Sequence, residues 1–379
     1  MMRSVVFMTA VALAACSEDA QSKVEPAAGP ASNTTASQAR QVVGAEIREF
    51  RDWRAVCDNG NACVAWTGSP AGGWIRIAMD AGPDARPTVS VGSWGLGETG
   101  DDPQSVRLRA DGRILAVHGG PEDAANAAAG TARAREVIAA VAAARTLALT
   151  SGPESVELPS AGASAALLWI DERQGRLETT TALLRRGDRP ARAVPAAPAL
   201  PAVRRAPPVP QGDLAHANAP MGEEPPAGVR LPAAIEALAE VKACREESNE
   251  YLDKAVLSGR LDRSTVLWGV PCGSGAYNAT YVLYLARPDG TGVRAAELPR
   301  REPRSAEEGD LWLVNPEYDP EAQTLTVFPR GRGLGDCGTI QTWTWTAQGF
   351  ALTGERFMGD CWGMTPDLWP TTWRADVGS

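Results

Sequence analysis

The sequence predicts a β-rich α+β protein of two domains, each mainly antiparallel sheet (a sandwich or partial barrel) with one or two packed helices, joined by a Pro/Ala-rich linker. Three observations predict it. Short runs of alternating apolar and polar residues recur between Gly, Pro, Asp and Asn turns along most of the chain. Apolar residues at helical spacing are confined to a few segments. No Phe, Trp or Tyr occurs from Ile170 to Glu250, and inside that gap residues 190–226 hold ten prolines and ten alanines. Such a stretch favours extended, polyproline-like backbone and acts as a semi-stiff spacer.

The chain opens with one positive charge in residues 1–3 and an uncharged apolar run over residues 4–12. That run is far short of the roughly 20 residues a membrane-spanning helix needs. Leu13-Ala14-Ala15-Cys16 follows, with the pattern of a bacterial lipobox. Small residues let a peptidase approach the backbone, and the Cys16 thiol can carry a diacylglyceryl thioether. An ordinary cleaved leader with an incidental cysteine is the alternative. The lipobox makes residues 1–15 a lipoprotein signal peptide and Cys16 a lipid anchor holding the protein to a membrane of the bacterial envelope. Ser17, where an aspartate would signal retention, favours the outer membrane, facing the periplasm. Residues 16–44 are rich in Ser, Ala, Thr, Gln and Pro with no aromatic residue, and read as the lipidated cysteine plus a disordered tether.

An N-terminal domain, residues 45–188, is expected to start with strands. Residues 50–57 and 62–67 flank Asp58-Asn59-Gly60-Asn61, and Asn-Gly between strand-like runs signals a hairpin because both residues tolerate positive φ. Residues 74–79, 105–109 and 113–117 alternate, with Asp111-Gly112 turning the last pair. Residues 131–147 carry Val137, Ile138, Val141 and Leu147 at helical spacing, and Ser160 reads as the N-cap of a helix through Leu167, Leu168 and Ile170 ending near Gly175. The linker takes residues 189–228. A C-terminal domain, residues 229–379, should open with a helix over 232–244 through Ile235, Leu238 and Val241. An antiparallel meander should follow over residues 266–270, 279–286, 292–298, 310–314, 324–328, 339–346 and 350–357.

Composition excludes several functions. The 379 residues include 46 acidic and 37 basic side chains for a net charge of −9, which leaves no basic footprint for nucleic acid. There are only two histidines. His216 falls in the linker, His118 precedes Gly119-Gly120, and no GxSxG elbow occurs, so a Ser-His-Asp triad has no place. No enzyme activity and no cofactor are expected. Of seven cysteines, Cys16 goes to lipid, and six remain as three local pairs: Cys57/Cys63, Cys244/Cys272 and Cys337/Cys361. Six cysteines allow fifteen connectivities, so spacing alone does not decide among them. An exported protein meets an oxidising compartment, which favours disulfides. No histidine or CxxC knuckle accompanies the cysteines, which argues against a metal.

The candidate binding residues cluster near the C-terminus. Arg330-Gly331-Arg332-Gly333 is a basic, glycine-rich turn able to accept a carboxylate or phosphate, though it lacks a phosphate-loop pattern. Asp336 and Asp360 each precede a cysteine of one proposed bridge, which would bring them within about 10 Å, near the span glycosidases use. The favoured reading of Gly-Asp-Cys is turn chemistry, with the aspartate bonding its own backbone. Trp343, Trp345, Trp362, Trp369 and Trp373 lie within 31 residues. Exposed, Trp362 and Trp369 could stack on sugar rings or hold a peptide around Arg332 and Asp336; buried, such residues form the core of a small β domain.

Three stretches together resemble a known family: FRDWRAVCDNG over residues 50–60 with Cys63, GASAALLWIDERQGR over 162–176, and residues 331–373 with Gly331-Arg332-Gly333-Leu334-Gly335-Asp336-Cys337-Gly338, Trp369-Pro370 and Trp373. The combination resembles DUF1176, an exported bacterial family of unknown function, over most of residues 45–379. The N-terminal part is also similar to the invasion-associated locus B proteins, which share a "DW…C" opening and a small-residue helix. The resemblance implies an envelope location and a β-rich fold, and brings no catalytic residues. The long Pro/Ala linker departs from the family pattern and gives no reason to expect fixed packing between the halves. The resulting expectation is a non-catalytic envelope lipoprotein binding a glycan, peptide or protein partner; the alternative is a polysaccharide hydrolase acting through Asp336 and Asp360. Cys16→Ala should abolish metabolic labelling with palmitate, and persistent labelling would refute lipidation at this cysteine.

Overall fold

The structure, a computed structural model, describes residues 45–378 apart from 46, 95, 97–105, 116–126, 130, 215–229, 247–251, 253–254 and 302–311. The lipobox with Cys16, the tether, His118 and His216 lie outside the described residues. The protein is β-rich, built of several antiparallel sheets with few helices and, among the described residues, no closed barrel.

The first sheet is a meander of β1 (Arg48–Phe50), β2 (Trp53–Cys57), β3 (Cys63–Ser69), β4 (Gly73–Met79) and β5 (Thr88–Ser93). A hairpin of β6 (Arg107–Ala110) and β7 (Arg113–Leu115) follows, and β8 (Ala127–Ala129) closes the free edge of β5. After α1 (Thr131–Ala143), β9 (Leu147–Ser151) and β10 (Glu154–Leu158) extend the hairpin into a second sheet ordered β10-β9-β6-β7. Then comes α2 (Ala163–Arg173).

Period-two alternation sends Ala55, Ala65, Ile75, Ile77, Val89 and Val91 to one side of the first sheet, where they pack with Val137, Ile138 and Val141 of α1 and Leu167 and Ile170 of α2. The residues between them, Val56, Val64, Trp66 and Trp74, face the other way and are buried as well. Their cover comes from the far end of the chain: Cys337, Met358, Met364 and Trp369. Burying a large apolar side chain contributes roughly 1.5–3 kcal/mol, so this shared cluster binds the two halves firmly. A polar clasp beside it joins the same two regions. Arg374 Nε lies 2.6 Å from Asp58 Oδ2, and Asn59 donates to Arg374 O (2.8 Å) while accepting from its amide (2.9 Å).

Residues 189–214 of the expected linker are not a free spacer. β11 (Ala202–Arg204) pairs in parallel with the last strand of the chain, Asp376–Gly378. Ala206 N donates to Trp345 O (2.8 Å), and Pro201 O accepts from Asp376 N (2.9 Å). A proline-rich segment has no internal hydrogen bonds to satisfy its carbonyls, so they are free for a neighbouring strand. Fixed packing between the halves, which the long linker put in doubt, is therefore present.

The C-terminal half opens with α3 (Ala233–Glu236) and α4 (Ala239–Glu246). A sheet of β12 (Leu257–Arg260), β13 (Val266–Ser274) and β14 (Ala279–Ala286) follows, with β15 (Arg294–Ala295) and β16 (Trp312–Val314) both against β14. A second meander runs through β17 (Glu317–Asp319), β18 (Thr324–Val327), β19 (Gly338–Thr346), β20 (Gly349–Met358) and β21 (Thr371–Arg374), before β22 (Asp376–Gly378). Leu267, Leu283 and Leu285 meet Leu325, Trp343, Trp345 and Phe350 between these sheets, while Ile235 and Val241 cover the opposite face of the β13–β14 sheet. Disulfides close the β2–β3 hairpin (Cys57–Cys63), staple α4 to β13 (Cys244–Cys272) and tie the loop before β19 to the loop after β20 (Cys337–Cys361).

Several local expectations are corrected, each by a specific group. Residues 50–57 are not one strand: Arg51, at φ 56°, turns β1 back on β2. The 58–62 turn is set by Asp58 Oδ1 accepting the Gly60 and Ala62 amides, and positive φ falls on Asn61 rather than on Asn59-Gly60. Leu147 starts a strand instead of ending α1, because Asp111 Oδ1 captures the Arg145 and Thr146 amides and Asp111 N donates to Thr146 O. Gly162, not Ser160, caps α2: its φ is 107°, and a Cβ there would fall on Phe50 O, while the Ser160 hydroxyl donates to Arg145 O. The 232–244 helix is broken at Ala237–Leu238. Three-residue steps drift around a 3.6-residue helix, and the break lets Ile235, Leu238 and Val241 all reach the sheet. The strand expected over 292–298 shrinks to Arg294–Ala295.

Trp74→Ala and Trp369→Ala should each destabilise one common unfolding transition by about 3–5 kcal/mol, read by urea titration. Two transitions, each shifted by only one of the variants, would contradict a shared core.

Candidate functional site

The loop from Pro329 to Gly338 is held from beneath. Asn278 donates to Arg330 O (3.0 Å) and accepts from its amide, and Asn315 bridges Asn278 Oδ1 (2.9 Å) to Phe328 O (2.8 Å). Gly331 N donates to Cys337 O (2.8 Å), and the Cys337–Cys361 bridge fastens the loop to the segment after β20.

Within the loop, Arg332 and Asp336 neutralise each other. Arg332 forks onto Asp336, Nε to Oδ1 at 2.7 Å and a terminal nitrogen to Oδ2 at 2.5 Å, and also donates to Cys361 O (3.0 Å). Gly363 N gives Asp336 Oδ2 a further bond (2.7 Å). Asp336 is 5% exposed. Burial pushes its carboxyl up, but the Arg332 and Gly363 donors outweigh that and hold it below its ordinary value. A bidentate, amide-capped carboxylate of this kind is a clamp on two turns. Arg330, expected as an anion ligand, instead lies over the Phe328 ring at 5.3 Å. Phe328 in turn meets Trp369 edge to face at 5.4 Å.

Trp369 is 2% exposed, with its indole N–H on Met364 O (2.8 Å). It is a core residue and cannot face a ligand. Trp343 and Trp345 are buried too. Trp362 is half-buried, lying over Gly68 of β3, where a Cβ would come within 2.5 Å of the ring. Arg54 of β2 stands over Trp362, its guanidinium 5.1 Å from the ring centroid, and pairs through Nε with Asp360 Oδ2 (3.1 Å). Burial raises the Asp360 carboxyl, with Arg54 opposing and Glu49 reinforcing the rise. Asp336 and Asp360 are thus held by different guanidinium groups and pushed in opposite directions.

Two members of the cluster come from the N-terminal half and were not foreseen: Arg54 and Trp94. Trp94 is 45% exposed, the largest aromatic surface among the described residues. Its ring lies against Gly72 and Gly363, where a Cβ would come within 2.1 and 2.5 Å, and Arg332 stands over it at 5.8 Å. Glycines within or beside strands mark a close approach of other atoms, so Gly68 and Gly72, with Gly363 in the loop, were the local signal of these rings. Leu334, at the tip of the Arg332 turn, is 60% exposed. The face thus presents Trp94 and Leu334 beside half-buried Trp362, with both arginines already neutralised. Asp336, Cys337 and Cys361 bring their ligand-type atoms within 4.8 Å of one another, yet the sulfurs are bonded to each other and the carboxylate is occupied, which leaves no donor set for a metal.

The GASAALLWIDERQGR segment is a second polar cluster, and it is wholly internal. Asp171, fully buried, accepts the amides of Leu183, Leu184 and Arg185. Arg176, equally buried, donates to Gln174, Thr181, Asp80 O and Gly82 O, and Gln174 donates to Asn61 O and Met79 O. With every one of these groups engaged in bracing turns, the cluster has no face for a substrate.

The sequence model of the family described as "Protein of unknown function (DUF1176)" matches residues 47–376. Among curated proteins, the Uncharacterized protein YpfG of Escherichia coli (strain K12) is 28% identical over 343 residues, covering 86% of this chain and 92% of that protein. No solved structure matches the chain.

Because the Asp360 carboxyl is held above its ordinary 3.8, its contribution to stability is full below the unfolded value and is lost as pH rises through the folded one. Relative to Asp360→Asn, the wild type should gain in melting midpoint as pH falls from neutral towards 3.8; parallel profiles would show that the carboxyl is not perturbed.

Proposed function

Given that the chain belongs to the DUF1176 family, whose function is unknown, we propose that it is a lipid-anchored envelope protein that binds a glycan without catalysis through the Trp94–Trp362 face. The anchor is Cys16, the membrane the outer one, and the body faces the periplasm. The observation that carries the binding reading is the position of Trp94: an indole 45% open to solvent, laid on two glycines at the junction of the two halves. An exposed aromatic plane in a rigid seat suits the apolar face of a sugar ring. Arg332 and Arg54 are paired with Asp336 and Asp360, so the face offers little net charge, which favours a neutral ligand over a phosphorylated one.

The raised Asp360 carboxyl favours one further reading, a hydrolase using Asp360 as acid and Asp336 as its partner. Against it stand the three hydrogen bonds that occupy both Asp336 oxygens. Cleavage of an oligosaccharide by the purified protein, abolished by Asp336→Asn, would establish the hydrolase instead.

The binding reading is tested by titrating the protein with chitotetraose and following tryptophan fluorescence and heat. Saturable binding should weaken about tenfold in Trp94→Ala, with the folded state retained by circular dichroism at the assay temperature. Absence of binding to the wild type, or equal binding by Trp94→Ala, would sink the proposal.

A further inference from the structure

A separate cleft opens beside α3 and α4, with a volume of about 630 Å³. That is within the range of small-molecule sites, roughly 300–1,000 Å³. Its apolar lining comes from Leu231 and Val256, both buried, with Ala233 and Ala237 alongside. α4 is held rigidly against the sheet: Val241 is fully buried, and Cys244 is bonded to Cys272 of β13. Those two anchors, three residues apart, fix the neighbouring positions, so Lys242 and Arg245 emerge on a common flank and line the cleft.

The charges there do not balance. Arg245 is paired with Glu236 at 3.1 Å, and Glu236 is the single acid among the described lining residues. Arg230 and Lys242 line the same cleft, are exposed, and form no ion pair among the described residues. In a chain of net charge −9, two unpaired cations converging on an apolar pocket are unusual, and they run against the long-range field of the protein. Cations fix an anionic head, and apolar walls take a hydrocarbon tail.

The geometry points to this cleft as a binding site for a single-chain anionic amphiphile, its phosphate or carboxylate head held by Arg230 and Lys242 and its tail against Leu231 and Val256. The site is independent of the Trp94 face and would stand if that reading failed.

The chain has only three lysines, Lys23, Lys242 and Lys254, so reductive methylation with ¹³C-formaldehyde gives a sparse set of signals and keeps the charge. Lys242→Arg assigns the Lys242 signal. The full chain carrying Cys16→Ala, which excludes competition from an attached lipid, is titrated with decyl phosphate below its micelle concentration. The Lys242 signal should shift saturably, with one equivalent bound. Arg230→Glu, an exposed substitution, should weaken binding tenfold or more while leaving the melting midpoint unchanged. Inorganic phosphate binding as tightly would show that the apolar walls are unused and overturn the proposal. Decyl maltoside binding as tightly would show that the cations are unused, with the same consequence. Binding to phosphatidylglycerol vesicles but not to monomeric decyl phosphate would replace the cleft with a membrane-surface contact. No shift at Lys242 with any probe also overturns it.

Discussion

Trp66 and Trp74 place two indole rings on the face of the first sheet that looks away from its helices, and that face is covered by Met358, Met364 and Trp369 from the other half of the protein. A sheet apolar on both sides must find cover on both. The Cys337–Cys361 bridge, the Arg332–Asp336 clamp and the Arg374–Asp58 pair all sit around this contact. Each makes sense as a device that shapes or seals the cover. The Trp94–Trp362 face exists only because the two halves meet there, since Trp94 rests on Gly72 of one and Gly363 of the other.

The parts of the fold set by near neighbours were legible in the sequence. Alternating strands, turn residues and the three cysteine pairs act over short distances, and the β-rich class followed from them. The two-sided burial was not seen, although its trace was present: Ala55-Val56, Val64-Ala65-Trp66 and Trp74-Ile75 are apolar at adjacent positions, where a one-sided strand would alternate. The local misreadings share a cause. Asp111 and Asp58 redirect the chain by accepting amides, and nothing in periodicity registers which amides a side chain will reach.

The candidate site was half legible. Arg332, Asp336, Asp360 and Trp362 are together, but Arg330 and Trp369 belong to the core stack through Phe328, and half of the exposed face comes from about 250 residues away. A tryptophan in the core and one on a platform differ only in what lies beside them. The segments that carry the family likeness are chiefly structural: the Asp171–Gln174–Arg176 cluster and the Asp336 clamp hold turns in place. In this protein, those segments serve the way the chain is folded together.

The clasp between Asn59 and Arg374 spans 315 residues, and that distance has a consequence for how the protein is made. Synthesis delivers the first sheet long before the segment that covers it, so Trp66 and Trp74 face solvent until almost the whole chain has emerged. Contacts this far apart close slowly, and uncovered apolar sheet is prone to aggregate. The last forty residues therefore act as the protein's own finishing plate, and a nascent chain interrupted before them is left with an open, adhesive surface.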